Sequence, residues 1–440
     1  MKNMDKINPW NLFTKRLLFL FFLQTIFIAP VIAQNYDLTE IISIENSHIN
    51  REKIKYLHLD LLMEKDGRIY IVADSEVMDG FNGQSIPFIL EIHNLSPDNQ
   101  IDVSIQGGAN GDFHSYVELE RDFLDLENTF PDLAKVYDIG DSLESRNIYA
   151  LKISDNVLND EDEAEALFLG CHHAREWISV EVPYLFGKYL LENYHQDVSI
   201  KNIVDQSEIW IVPLVNPDGL EYSIHYYRYW RKNRRDNGDG TYGVDLNRNY
   251  GYQWGYDNNG SSPNTGSETY RGTAPFSEPE SLAIRDLFAQ HHFLSLISYH
   301  SYGGVILYPW GYTFQSPDQD ALLKDLASNM SQQMQTVNGT FYSFGQASGS
   351  LYTTNGDTTD WSFGIYGIPS FTIELPPPSS QLGEFFNAEE DIQPIFQENL
   401  KAALFLIEWA IQNKPSPKDS QEKILKKPRS NVTNTLKKYQ

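Results

Sequence analysis

Five short, β-rich apolar runs set the main constraint on this chain. They are "YALKIS" (149–154), "EALFLGC" (165–171), "EIWIVPLV" (208–215), "FLSLISYHS" (293–301) and "PSFTIEL" (369–375). Between and around them, residues 178–194, 277–290, 318–336 and 391–412 repeat apolar side chains at helical spacing. Strands alternating with helices predict an α/β domain with a mixed central β-sheet flanked by helices. At the start of the helix over 277–290, Ser277 and Glu280 have the spacing of a capping box.

The segments outside this pattern read differently. Lys2, Lys6, Lys15 and Arg16 precede the apolar stretch "LLFLFFLQTIFIAPVIA", and Val31 and Ala33 supply the small residues of a cleavage site. Residues 1–33 are therefore expected to be a signal peptide, making the mature protein secreted or periplasmic, with no membrane contact after cleavage. Residues 34–112 read as a small α+β unit and a linker. They contain "IKYLHLDLL", "GRIYIVAD" and "IPFILEIHN", then a stretch rich in Gly, Asn, Asp and Ser. The main domain is expected over 113–413. The basic segment 414–440 lacks apolar periodicity and reads as a disordered tail.

Charge excludes some functions. The 440 residues carry a net charge of −26, which repels phosphate backbones, so no nucleic-acid partner is expected. There is no Gly-rich phosphate loop. The single cysteine, Cys171, cannot form an internal disulfide and reads as a buried, inert thiol.

The chemistry gathers where the apolar runs end. "GCHHAREWIS" (170–179) follows one run and holds His173 and Glu176 at i, i+3, close enough to reach one ion. A second run ends at His300. Two His and one Glu form a common catalytic zinc set that leaves a fourth position for water. On spacing alone, structural, hydrogen-bonded histidines remain an alternative. "DLNRN" (245–249) places Asn247 beside Arg248, a pair able to grip a carboxylate. Arg228 and Arg231 stand together in an acidic protein, and Glu374 lies in an apolar strand. For Glu374 a working carboxylate and a structural ion pair are equally open at this level.

Taken in order, "HAREW", "WRKNRR", "GVDLNRN", "SYHSYGGVILYP", "GDTTDW" and "FTIEL" resemble the zinc carboxypeptidases of the A/B type, over residues 113–412. The segment 34–95 more weakly resembles that family's N-terminal prosegment, through "GQSIPFILEI". The resemblance implies one Zn2+ per chain, held by His173, Glu176 and His300, with Asp245 orienting the first histidine. His172 matches no ligand position. Asn247 and Arg248 match the clamp for a substrate's terminal carboxylate, and Arg231 the group that polarises the scissile carbonyl. Arg228 and Tyr302 match outer substrate contacts, Tyr352 the tyrosine that closes over the C-terminal residue, and Glu374 the general base.

The expected partners are peptides or proteins with a free C-terminus, and the chain is expected to act as a monomer. At the specificity pocket, Thr359 stands where A-type members are apolar and B-type members carry an aspartate, and Asp357 lies two residues earlier. That pairing predicts release of both apolar and basic C-terminal residues. The alternatives are a cell-wall peptide or acyl-amino-acid hydrolase of the same fold, or a non-catalytic binder of peptide C-termini. The presence of both Glu374 and Arg231 argues against the binder.

Overall fold

The computed structural model of the chain describes residues 110–377 and 385–415, together with parts of the segment 40–92. The signal peptide, most of the linker and nearly all of the C-terminal tail expected from the sequence lie outside the described residues. Four strands of the N-terminal segment are described: β1 (Glu40–Glu45), β2 (Leu61–Lys65), β3 (Arg68–Ala73) and β4 (Phe88–Ile92). They form an antiparallel sheet in the order β2-β3-β1-β4. Ile42, Ile44, Ile69, Ile71, Phe81 and Ile86 make its small core. β1 is an addition to the runs singled out in the sequence, and β2 begins only at the end of "IKYLHLDLL".

The main domain is built on eight strands: β5 (Ala134–Asp141), β6 (Asn147–Ile153), β7 (Ala164–Leu169), β8 (Ser207–Val212), β9 (Phe293–Ser301), β10 (Val305–Tyr308), β11 (Ser343–Gln346) and β12 (Ser370–Leu375). Their order is β11-β10-β12-β9-β7-β8-β6-β5. The centre, β12-β9-β7-β8, is parallel, whereas β6 and β10 pair antiparallel with β8 and β12. Every residue of β7 and β8 is buried. This is why those strands read as continuous apolar runs rather than alternating ones: a central parallel strand is covered on both faces.

The helices are α1 (Tyr116–Thr129), α2 (Ile178–Asn193), α3 (Val198–Val204), α4 (Pro217–His225), α5 (Pro279–Gln290), α6 (Asp320–Asn338), α7 (Ala347–Ser350), α8 (Thr358–Tyr366) and α9 (Glu389–Asn413). One face of the sheet packs Phe168, Ile211, Ile297 and Ile373 against residues of α2, α6 and α9, such as Phe186, Leu326 and Leu406. The other packs Leu167, Leu169, Trp210 and Leu296 against Ile284 and Leu287 of α5 and Trp361 of α8. Both faces are thus closed by helices, as the alternating pattern predicts.

The cap expected at Ser277 is not formed. α5 starts at Pro279 after Glu278, with no side-chain cap bond. Proline at the first helical position needs no N–H partner, so the helix begins there. Ser277 Oγ donates instead to Glu278 Oε1, and Glu280 is buried, accepting from Asn233 Nδ2 at 3.2 Å. A true capping box stands at α1, where Ser115 and Glu118 each reach the other's backbone N–H.

Candidate metal centre

The carboxyl end of β7 is shaped by two backbone constraints. A Cβ at Gly170 would meet Ser179 O at 2.1 Å and Pro213 O at 2.7 Å, so only glycine fits. Cys171 then turns the chain at φ +51°, a left-handed conformation that costs a non-glycine residue roughly 1–2 kcal/mol. Its thiol is fully buried and burial pushes it well above its ordinary value, so it stays neutral. The chain emerges from this turn with His172 and His173 pointing to different partners.

His173 Nδ1 lies 2.8 Å from Glu176 Oε1 and 3.1 Å from His300 Nδ1, and His300 Nδ1 lies 3.0 Å from Glu176 Oε2. Three ligand-type atoms therefore converge on one point, all from buried residues. Two ring nitrogens facing each other and a shared carboxylate form a poor hydrogen-bond set but a good cation cup. Metal–ligand bonds near 2.0–2.1 Å in tetrahedral geometry place neighbouring ligand atoms roughly 3.3 Å apart, close to these spacings. The outer nitrogens are engaged elsewhere: His173 Nε2 faces Asp245 Oδ1 at 3.2 Å, and His300 Nε2 faces Ser298 Oγ at 3.2 Å. That arrangement leaves both Nδ1 atoms turned inward, as outer partners do at metal-bound imidazoles.

The electrostatics agree. Burial alone would push the Glu176 carboxyl up; the His173 and His300 rings outweigh it and hold the group well below its ordinary range. Burial pushes His300 down against the pull of Glu176, which favours the neutral, ligating imidazole. His172 is not part of the cup. It contacts Tyr250 Oη at 2.8 Å and Thr358 Oγ1 at 3.1 Å, and stacks behind His300.

Around the cup the other sequence-predicted residues fall into three groups. Asp245, Arg231, Asn247 and Arg248 interlock. Arg231 donates to Asp245 Oδ2 through Nε and Nη2 at 3.2 and 2.9 Å, and its Nη1 is 4.0 Å from Glu176. Asp245 Oδ1 also accepts the Asn247 N–H. Arg248 is buried, donating to the carbonyls of Gly260 and Asn247, with its guanidinium 5.9 Å from the Tyr352 ring. Asn247 Oδ1 accepts the backbone N–H and the hydroxyl of Thr358. Glu374 forms the second group. It lies on β12, in register with His300 on β9. Burial, then the Glu176 charge, pushes its carboxyl well up, against the pull of Arg231, Arg248 and Arg175.

The outer residues form the third group. Arg228 lies over the Trp177 ring at 3.6 Å and donates to the carbonyls of Arg175 and Phe385. Tyr302 packs edge-on against Phe385, and Tyr352 is 43% exposed. Asp357 caps α8: its Oδ1 accepts the Asp360 N–H at 2.8 Å and the Thr359 hydroxyl at 2.9 Å, and its Oδ2 the Thr354 hydroxyl at 2.6 Å. Two participants escaped the sequence reading. Thr358 fixes the Asn247 amide, and buried Arg175, with its guanidinium 4.2 Å from the Phe385 ring, reaches the field of Glu374. Arg175 lies inside "HAREW", where its position between two ligands was the available signal.

A His–Glu–His cation cup at the carboxyl ends of parallel strands, with a carboxylate and two buried arginines beside it, marks a metallohydrolase on an α/β sheet. The chain belongs to the zinc carboxypeptidase family, whose model matches residues 120–402. It is 36% identical over 303 residues to a zinc carboxypeptidase of Saccharothrix mutabilis subsp. capreolus, covering 67% of this chain and 69% of that one. It is 33% identical over 269 residues to carboxypeptidase B of Astacus astacus, covering 60% of this chain and 86% of the relative. The fold matches carboxypeptidase A from Helicoverpa armigera with a TM-score of 0.73 at 24% identity, over 86% of this chain and 99% of that structure. The protein is a zinc-dependent metallocarboxypeptidase and a hydrolase of peptides.

Proposed function

We propose that this is an exported exopeptidase that removes single residues from peptide C-termini, made with a signal peptide over residues 1–33 and an inhibitory prosegment. The observation that carries the reading is the meeting of Glu374, Arg231 and the Asn247–Arg248 pair around the His173–Glu176–His300 cup. Zinc held by those three side chains supplies a Lewis acid and a water of lowered pKa. Glu374 takes a proton from the attacking water and passes it to the leaving amine, a role that suits a carboxyl pushed well up by burial and by the Glu176 charge. Arg231, held on Asp245 through Nε and Nη2, turns its Nη1 toward the cup, where it meets the charge developing on the scissile carbonyl oxygen. Asn247 and Arg248 hold the terminal carboxylate, so that only the last peptide bond meets Glu374. Arg228 and Tyr302 border the residues further from the C-terminus, and Tyr352 covers the end.

Specificity is proposed to be dual. The Asp357 carboxylate stands at the N-terminus of α8, where it caps the helix by accepting the Asp360 N–H. A cationic C-terminal side chain would complement that charge, while Thr359 leaves room for an apolar one. Activation cannot use a trypsin-like cut in the linker, because there is no Lys or Arg between Arg68 and Arg121. N-terminal sequencing of the processed form checks this directly: a start after Arg68 or Arg121 contradicts it. The central test is Glu374→Gln. With zinc still bound, hydrolysis of a chromogenic dipeptide should fall by at least the ~10²–10⁴ of a positioned acid–base group, and retention of full activity rejects the mechanism.

A further inference from the structure

His172 has no part in the cup, yet its ring is fully buried beside it, 5.5 Å from the His300 ring between centroids and 15° from parallel. Both of its nitrogens have polar neighbours. Nδ1 faces Ser298 Oγ at 3.4 Å, and Nε2 faces Tyr250 Oη at 2.8 Å and Thr358 Oγ1 at 3.1 Å. Ser298, Tyr250 and Thr358 are fully buried as well. Two of these neighbours touch the working parts of the site. Ser298 and His300 are two apart on β9 and share a face, and Ser298 Oγ lies 3.2 Å from His300 Nε2. Thr358, the first residue of α8, gives its hydroxyl to Asn247 Oδ1 at 2.9 Å and its N–H to the same oxygen at 3.0 Å.

The hydrogens along this line follow in one order. His300 turns Nδ1 into the cup, and a ligating nitrogen carries no proton. His300 Nε2 therefore carries the ring proton and donates to Ser298 Oγ. The Ser298 hydroxyl gives its own hydrogen to the acceptor beside it, His172 Nδ1. A fully buried imidazole next to a cation cup stays neutral, so His172 carries its proton on Nε2 and donates toward Tyr250 Oη and Thr358 Oγ1. The Thr358 hydroxyl passes the sequence on to Asn247 Oδ1. Because a backbone N–H points at Oδ1 too, that end of the amide is the oxygen, and the Nδ2 hydrogens are left for a ligand. Asn247 Nδ2 comes within 3.4 Å of His300 Nε2, but both atoms carry hydrogens, so the two residues are joined through His172 rather than directly.

We propose that His172 is a positioning residue for both halves of the site: through Ser298 it holds the His300 ring with Nδ1 toward the metal, and through Thr358 it holds the Asn247 amide with Nδ2 toward the substrate's carboxylate. The second half rests on the reading of Asn247 as part of the carboxylate clamp. One buried ring thereby ties together the turn after β7, strand β9 and the start of α8.

Three substitutions in the full zinc-binding chain separate the links. Ser298→Ala opens the link to the metal ligand, Thr358→Val the link to the clamp, and His172→Leu both. Zinc affinity, read by competition with a chromophoric chelator, should fall roughly tenfold in Ser298→Ala and in His172→Leu, the low end of the range for partners behind a metal ligand, and stay near the parent's in Thr358→Val. With zinc saturating, KM for a chromogenic dipeptide should rise about fivefold in Thr358→Val and in His172→Leu, as for loss of one hydrogen bond, with kcat little changed, and stay near the parent's in Ser298→Ala. Adding Ser298→Ala to His172→Leu should weaken zinc no further, and adding Thr358→Val should raise KM no further, because each link is already open. A residue that only filled the core would lower Tm without this division. Should His172→Leu not fold, the parent still decides: nitrogen-15 spectra of the zinc-loaded protein should show His172 protonated at Nε2 and bare at Nδ1, and the opposite tautomer overturns the proposal. It is also overturned if folded His172→Leu keeps the parent's zinc affinity or its KM, or if the paired substitutions are additive. Asn247→Ala tells the two readings apart. A raised KM there, with KM unmoved in His172→Leu, leaves the clamp standing and removes the role of His172; KM unmoved in both removes the clamp itself, and with it the second half of the proposal.

Discussion

Replacing Asp245 by Asn separates the framework behind the cup from the cup itself. Asp245 is fully buried, and its Oδ2 is 2.9 Å from Arg231 Nη2 and 3.9 Å from Arg248 Nη1. Asparagine keeps the shape and one acceptor oxygen but removes the charge that two buried guanidinium groups share. Removing one partner of a buried ion pair costs about 3–5 kcal/mol, because the other is left uncompensated. Here the lower end applies. Arg231 retains Glu176 at 4.0 Å, and Arg248 retains the carbonyls of Gly260 and Asn247. Urea unfolding of the chelated protein should therefore show a loss of about 3 kcal/mol. His173 also loses the carboxylate behind its Nε2, so zinc affinity, read by competition with a chromophoric chelator, should fall by roughly 10–100-fold. A variant within about 0.5 kcal/mol of the parent, with unchanged zinc affinity, would refute the claim that Asp245 anchors both the arginines and His173.

Three further outcomes follow from the same geometry. Arg231→Ala should lower kcat by on the order of 10²–10³, as for loss of one oxyanion donor, whereas Arg248→Ala should mainly raise KM for substrates with a free C-terminus; the reverse pattern contradicts the roles proposed. Asp357→Asn keeps a good helix cap while removing charge, so it should selectively reduce turnover of peptides ending in Lys or Arg, and an unchanged basic-to-apolar ratio removes Asp357 from the pocket. Glu280 is pushed up to about 8 by burial, with Glu278 and Asp218 adding to the effect. The folded state then binds a proton that the unfolded chain has released, so stability should fall as pH rises between about 4.5 and 8, by at most about 1.4 kcal/mol per unit. Unfolding curves of Glu280→Gln should lose that slope.

Glu280 also shows where sequence reading stopped. Its spacing from Ser277 imitates a capping box, but Pro279 sets the start of the helix, and tertiary contact with Asn233 claims the carboxylate. The central strands were legible because β7, β8 and β9 are covered on both faces and are therefore mostly apolar. The ligands were legible for a related reason: a polar residue at the end of such a run stands out. Arg175 and Thr358 were not legible, because their work lies in contacts across the fold. Thr358 reaches Asn247 from 111 residues away. Asp357 was legible as a charge near the pocket, but its three cap and hydroxyl partners depend on the start of α8.

The sheet itself explains why the site can be precise. His300 and Glu374 are register partners on β9 and β12, so the spacing of a ligand and the candidate base is set by backbone hydrogen bonds. β7 stands on the other side of β9, and Gly170 and Cys171 turn its end toward the same point. Gly303 completes the fit, since a Cβ there would come within 3.3 Å of Glu374 Cβ and crowd its side chain. His173, His300 and Glu374 are thus carried on strands or close to their ends. The exposed Tyr352 follows α7 in a connecting loop, and Arg228 lies in the connection after α4. Such segments can adapt to different substrate residues without disturbing the distance between His300 and Glu374. Change in these outer positions should therefore alter which C-termini are accepted, while change in the strand register should abolish turnover for all of them.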